Sequence, residues 1–344
     1  MIKPKKLYPG DKVATVSPSW GGASTYPQLY HLGKRQLEKT FGVMVVETKN
    51  ALRPTDWLYR NPEARANDLM EAFSDKSIKA IISNAGGADS IRLLPYINFR
   101  TIKDNPKIFL GFSDSTVIHL SCYKAGLTSF YGPSILIGFA ENGGIFPYQI
   151  TDITKTLFHS TPIGVIPKNR DGWTCEKNDF ENRNSLKTVQ SLQPPTSWRL
   201  LQGKGIHEGA LIGGCLQVLD SLRATQLWPQ NRTWNGAILF LETSGVMIDP
   251  FYVLSVIRSF GAIGIFHQIS GILLGRPYLN AHWKEYDDIL LKVIRDELGE
   301  IDLPIITGAD FGHTRPVFTI PYGIKAKLNC EEISLEITES ATAN

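Results

Sequence analysis

Acyl transfer by a side-chain nucleophile needs a hydroxyl or thiol, a base to take its proton, and a group that orients the base. The sequence places one residue of each type at the end of a short apolar run. Ser113 stands in K-I-F-L-G-F-S-D-S-T, residues 107–116, where Ile108, Phe109 and Leu110 read as a buried strand. Val117, Ile118, Leu120, Ser121 and Tyr123 then carry helical spacing. A serine on a sharp strand-to-helix turn is held away from its own backbone, at the positive end of a helix dipole. His313 follows another apolar run, between Gly312 and Thr314-Arg315-Pro316, and imidazole titrates in the range such a base needs. Glu242 closes A-I-L-F-L-E, where a charge after apolar strand residues is costly unless paired or in water.

Each residue also has a plainer reading. The nucleophile-elbow pattern is G-x-S-x-G, whereas Ser115 occupies its fifth position here. Ser113 or Asp114 would serve equally as a helix cap, the commoner role for such residues. His313 could be an ordinary loop histidine, and Glu242 a strand reaching solvent. The order Ser113, Glu242, His313 is that of the α/β-hydrolases, but no lipase-type oxyanion motif accompanies it. Oxyanion donors would be the Asp114 N–H and one from Gly86 or Gly87, in a turn where missing side chains let the backbone approach a substrate. That turn, N-A-G-G, is not a dinucleotide fingerprint.

Such residues need a scaffold that gathers strand ends. Apolar runs at 12–17, 43–48, 79–84, 108–110 and 127–131 alternate with helical patterns at 29–41 and 62–73. This implies an α/β fold with a flavodoxin- or Rossmann-like parallel sheet, whose ligands bind beyond the strands' carboxyl ends. Residues 167–199 have little apolar periodicity, include the polar run 178–184 and Pro194-Pro195, and read as a surface linker. Strand-like runs at 203–214, 236–242, 270–274, 303–307, 324–328 and 333–337 then alternate with helical segments at 215–224, 249–260 and 286–298. They suggest a mixed α/β domain with a β-barrel-like sheet. The expected organisation is an N-terminal domain over 1–166 carrying the nucleophile, the linker, and a C-terminal domain over 200–340 carrying Glu242 and His313.

Composition narrows the field. The 344 residues are 42% hydrophobic and 20% charged, ordinary for a globular protein, and the net charge of +3 is too small a bias to imply nucleic acid. No apolar run reaches the roughly 18 residues of a membrane span, and the basic start lacks the apolar core of a secretory signal, so a cytoplasmic protein is expected. Cys122, Cys175, Cys215 and Cys330 are scattered and the histidines show no ligand spacing, so no zinc site is expected; the missing dinucleotide fingerprint argues against a nucleotide-cofactor enzyme, and no cofactor is expected.

Several stretches taken together have a further meaning: L-Y-P-G-D-K-V-A-T-V-S-P-S from Leu7, A-I-I-S-N-A-G-G-A-D-S-I-R-L-L-P-Y-I from Ala80, G-F-S-D-S-T from Gly111 and S-F-Y-G-P from Ser129. The second half adds W-R-L-L-Q-G-K-G from Trp198, G-A-L-I-G-G-C-L from Gly209, L-F-L-E from Leu239, S-G-I-L-L-G from Ser270 and F-G-H-T from Phe311. Over nearly the whole chain this series resembles the LD-carboxypeptidase family of serine peptidases, which includes muropeptide carboxypeptidases and microcin C immunity peptidases. The resemblance implies a metal-free homodimer with a Ser113–Glu242–His313 triad and an oxyanion hole from Asp114 and Gly87. The loop N-A-G-G-A-D-S differs from the R-G-G-Y-G of the muropeptide branch and is closer to the immunity branch, which cleaves an amide joining an aspartyl group to a modified adenylate. A small peptide or peptidyl-nucleotide substrate follows. The alternative is release of D-alanine from murein tetrapeptide in peptidoglycan recycling. Trp173 and Trp198 could stack on a base, although packing is their plainer role. Gly86 could line the substrate site, and Arg92, Arg276 or Arg315 could hold a terminal carboxylate. The stretch 243–251, T-S-G-V-M-I-D-P-F, departs from both branches. A non-catalytic protein that binds a peptide or nucleotide is the alternative of another class.

Overall fold

Ile81, Ile82, Ile108, Phe109 and Leu110 are enclosed on both faces of a sheet, which is why their strands read as unbroken apolar runs rather than alternating ones. The computed structural model describes residues 1–175 and 188–344. Its first sheet is built from β1 (Lys12–Val16), β2 (Met44–Glu47), β3 (Ile78–Ser83), β4 (Ile108–Gly111) and β5 (Phe130–Tyr131). They pair in parallel in the order β5-β4-β3-β1-β2.

The remaining strands are β6 (Gly164–Val165), β7 (Arg199–Gln202), β8 (Ile206–Cys215), β9 (Ile238–Glu242), β10 (Gly271–Gly275), β11 (Ile305–Ala309), β12 (Ile320–Pro321), β13 (Lys325–Asn329) and β14 (Ser334–Ile337). All but β12 form a second sheet of eight strands in the order β6-β14-β13-β8-β9-β10-β11-β7. Its centre, β8 to β11, is parallel and its flanks are antiparallel. The barrel-like closure expected from the sequence is not formed among the described residues. The edge strands β6 and β7 do not pair with each other, and β6 is only two residues long.

Two strands cross between the halves of the chain. β12 pairs antiparallel with β5 in the first sheet, and β6 pairs with β14 in the second. The segment read as a linker is likewise tied down where it is described. Trp173 bridges Gln193, Thr174 bridges Arg315, and Arg199 opens β7 instead of ending a linker. The Arg199 guanidinium is fixed by Asp287 and lies over Trp283, contacts between distant residues that local texture does not reveal. The polar run 178–184 lies outside the described residues. Interlocked in this way, the sheets bring the carboxyl ends of β4, β9 and β11 together.

Candidate active site

The turn after β4 has the strain that displays a side chain. Ser113 has φ +61°, a region L-residues other than Asn and Asp rarely enter. A short 3-10 turn, Ser113–Ser115, follows and runs into the helix Thr116–Lys124. Hydrogen bonds to neighbouring elements fix this turn. Thr116 Oγ1 donates to Ser113 O at 2.7 Å and accepts the Cys215 N–H at 3.1 Å, joining the turn to the second sheet. The Asp114 carboxylate accepts the N–H groups of Asp89 and Ser90 at 3.0 and 2.9 Å, while Ser90 Oγ donates to Asp114 O at 2.7 Å. These bonds anchor the Gly86–Gly87 loop beside the serine. Below the turn, His119 is wholly buried, with Nε2 donating to Gly111 O at 2.8 Å and Nδ1 accepting from Ser129 Oγ at 2.9 Å. Burial lowers its pKa to about 3, so it is a neutral brace for the end of β4.

The structure brings Ser113, His313 and Glu242 into one chain of hydrogen bonds. Ser113 Oγ lies 3.1 Å from His313 Nε2, and His313 Nδ1 lies 2.6 Å from Glu242 Oε2. An ionised carboxylate can only accept, so Nδ1 carries the imidazole proton and the Nε2 lone pair faces the hydroxyl. Glu242 is fully buried, whereas Ser113 and His313 are just reachable, at 8% residue and 11% side-chain exposure. The imidazole packs edge-on against Phe112 at 4.9 Å. Gly312 has φ +98°, and a Cβ there would lie 2.9 Å from Glu242 Oε2, so the turn carrying His313 needs glycine on both counts. This geometry can remove a proton from a serine and stabilise the resulting imidazolium.

The other residues singled out from the sequence separate into two groups. Gly86 belongs to the site: a Cβ on it would lie 2.9 Å from Ser113 Cβ and 3.5 Å from Asp114 N. Gly87 begins the next peptide and packs on Ser19. Arg92 lies on the outer side of this loop, bound to Tyr59 O and to Asp89. The remaining four brace the loop around His313. Arg276 is buried and donates to Thr196, Thr314 and Asp310. Trp173 covers its guanidinium, and Trp198 donates Nε1–H to Asp310 at 2.9 Å. Arg315 pairs with Glu141 at 3.3 Å and with Gln190. Tyr131, at the end of β5, was not singled out, yet its hydroxyl touches both Ser113 N and Glu242 Oε1. The only sequence signal was its place in S-F-Y-G-P at a strand end.

Comparison with known proteins agrees with this architecture. Residues 13–132 match the LD-carboxypeptidase N-terminal domain, and residues 208–328 match the LD-carboxypeptidase C-terminal domain. The chain belongs to the LD-carboxypeptidase family. It is 27% identical to the microcin C7 self-immunity protein MccF of Escherichia coli, covering 96% of this chain and 94% of that protein. It is also 27% identical to a probable murein peptide carboxypeptidase of Bacillus subtilis, covering 96% and 92%. Among solved structures, the MccF-like protein from Streptococcus pneumoniae in complex with AMP superposes with a TM-score of 0.87 at 30% identity, over 96% of this chain and 99% of that one. The LD-carboxypeptidase family membership and the MccF fold support a peptidase-type hydrolase.

Proposed function

We propose that this member of the LD-carboxypeptidase family is a serine hydrolase of MccF type that cleaves the amide joining an aminoacyl or peptidyl group to a nucleotide-like moiety. The observation that carries the reading is the hydrogen-bonded series Ser113–His313–Glu242, starting from a serine held at positive φ. Ser113 Oγ attacks the scissile carbonyl as His313 Nε2 takes its proton, and Glu242 holds the tautomer and balances the imidazolium. The N–H groups of Asp114 and Gly87 are the oxyanion donors in this reading. Collapse of the adduct breaks the C–N bond, and His313 returns the proton to the leaving amine. Water, deprotonated in turn by His313, then frees the acyl group and restores the serine. AMP bound to the pneumococcal relative supports a nucleotide-bearing substrate. The equal identity to a murein peptide carboxypeptidase supports the second reading, release of D-alanine from murein tetrapeptide. The proposal includes a cytoplasmic homodimer that needs no cofactor, checked by sedimentation and by activity after chelation.

The deciding experiment assays wild type and Ser113→Ala on aspartyl sulfamoyl adenosine and on murein tetrapeptide. Wild type is expected to favour the adenosine compound, and Ser113→Ala to lose activity by a factor of about a thousand or more. Retained hydrolysis in Ser113→Ala overturns the nucleophile, and turnover of the tetrapeptide alone selects the second reading. A serine-reactive phosphonate that fails to label Ser113, alongside tight ligand binding, would indicate a non-catalytic binding protein.

A further inference from the structure

Tyr131 ends β5 in the first sheet and reaches across to β9 in the second. Its Oη lies 2.9 Å from Ser113 N and 2.5 Å from Glu242 Oε1. The partners settle its roles, because a backbone N–H only donates and a carboxylate only accepts. Tyr131 therefore accepts from Ser113 and donates to Glu242. Its ring is buried against Phe240 at 5.6 Å and His119 at 5.4 Å. Burial, and then the charge of Glu242, hold the phenol far above its ordinary pKa, so the donated proton stays in place.

We propose that Tyr131 is a positioning residue that couples the nucleophile's backbone to the orienting carboxylate, an inference that rests on the reading of Ser113 as nucleophile. Two features of the site call for such a residue. Ser113 is buried two residues beyond the end of β4, so its N–H has no place in that ladder, and a buried donor without an acceptor is unfavourable. Tyr131 supplies that acceptor at the strained residue itself. Glu242 has one oxygen on His313, and the carboxylate can rotate about its last bond unless the other oxygen is held. The Tyr131 O–H fixes that oxygen and draws some charge from it. Tyr131 comes from the first half of the chain and Glu242 from the second, so the same bond registers the two sheets at the reacting centre.

Tyr131→Phe removes only the hydroxyl. The variant is expected to lower kcat by roughly tenfold to a hundredfold, the rate equivalent of leaving a buried donor unpaired. KM should stay within about twofold, since no substrate contact is removed. The acid limb of the kcat/KM profile should rise by about half a unit or more, because the full Glu242 charge then falls on His313. Counting reactive sites with a phosphonate expresses kcat per competent molecule. Unchanged kcat per site with an unmoved acid limb, even with a lower Tm, overturns the proposal and leaves a structural tyrosine. If Tyr131→Phe does not fold, 3,5-difluorotyrosine at position 131 keeps the shape and strengthens the donor. Its acid limb should move down, and an unmoved limb overturns the proposal. Activity retained by Ser113→Ala would instead sink the nucleophile reading, so the two failures are distinct.

Discussion

Two buried charged clusters lie side by side at the carboxyl end of the second sheet, and they use opposite strategies. In one, Glu242 at the end of β9 has Tyr131 on one oxygen and His313 on the other, and the series runs on to Ser113 Oγ near the surface. In the other, Arg276 after β10 and Asp310 after β11 face each other at 1% exposure. Thr196, Thr314, Trp198 and the Asn169 N–H take up their other hydrogen bonds, and Trp173 closes the guanidinium face. The first cluster is polarised and ends on a group that can react. The second is saturated and closed. Burying a charge is costly in both; the difference is that one arrangement ends at a serine hydroxyl just within reach of solvent and the other holds the loop in which His313 sits.

Glu242→Gln tests the open cluster and carries the largest expected effect. An amide keeps the shape but cannot balance an imidazolium and favours the wrong tautomer, so kcat should fall by a factor of about ten thousand with little change in Tm. A loss of fold with normal kcat per reactive site would erase the contrast. Arg276→Met tests the closed cluster. It strands Asp310 without its cation and should cost about 3–5 kcal/mol of unfolding free energy in denaturant titration, with kcat per reactive site falling far less than in Glu242→Gln. If Arg276→Met instead raised KM sharply in a stable protein, Arg276 would be a substrate ligand and the clusters would not differ in kind.

The contrast also explains what the sequence could and could not reveal. Ser113, Glu242 and His313 each close an apolar run at a strand end, which made their types and places visible. Arg276 follows its strand in the same way, and nothing local separates a carboxylate ligand from a brace. That distinction depends on Asp310 and Thr314, more than thirty residues away. The alternation of the first half was legible because buried parallel strands leave unbroken apolar runs. β12, with two residues, and β7, whose Arg199 is held by Asp287, carry no such pattern, and their pairing is set by tertiary contact. Tyr131 was hidden for a related reason. A buried tyrosine at a strand end reads as core until the partners of its hydroxyl are known.

A smaller perturbation probes the mouth of the open cluster. In Gly86→Ala the added methyl would press on Ser113 Cβ and Oγ at 2.9 and 3.0 Å. The expected result is a loss of about a hundredfold in kcat, as for a displaced reacting group, with Tm within a few degrees of wild type. Near-normal turnover would mean that Ser113 has more room than the relay geometry implies.

Asp152 offers an intermediate case, a buried carboxyl with neither an arginine nor a relay. It lies in the helix Pro147–Leu157 and accepts the Thr319 N–H at 2.8 Å, next to β12. Burial raises its pKa to about 7, against smaller lowering effects from Thr319 and Lys155. Between the unfolded carboxyl value near 4 and about 7, the unfolded chain has lost this proton while the folded chain still holds it. Folding therefore takes up a proton, and this group's contribution to stability declines as pH rises through that window. Asp152→Asn keeps an acceptor for Thr319 and cannot ionise. It should gain on wild type from pH 5 to pH 8, reaching roughly 1–3 kcal/mol in unfolding free energy. A pH-independent difference would show that Asp152 is ionised and compensated, as Asp310 is by Arg276, and would place it with the closed cluster.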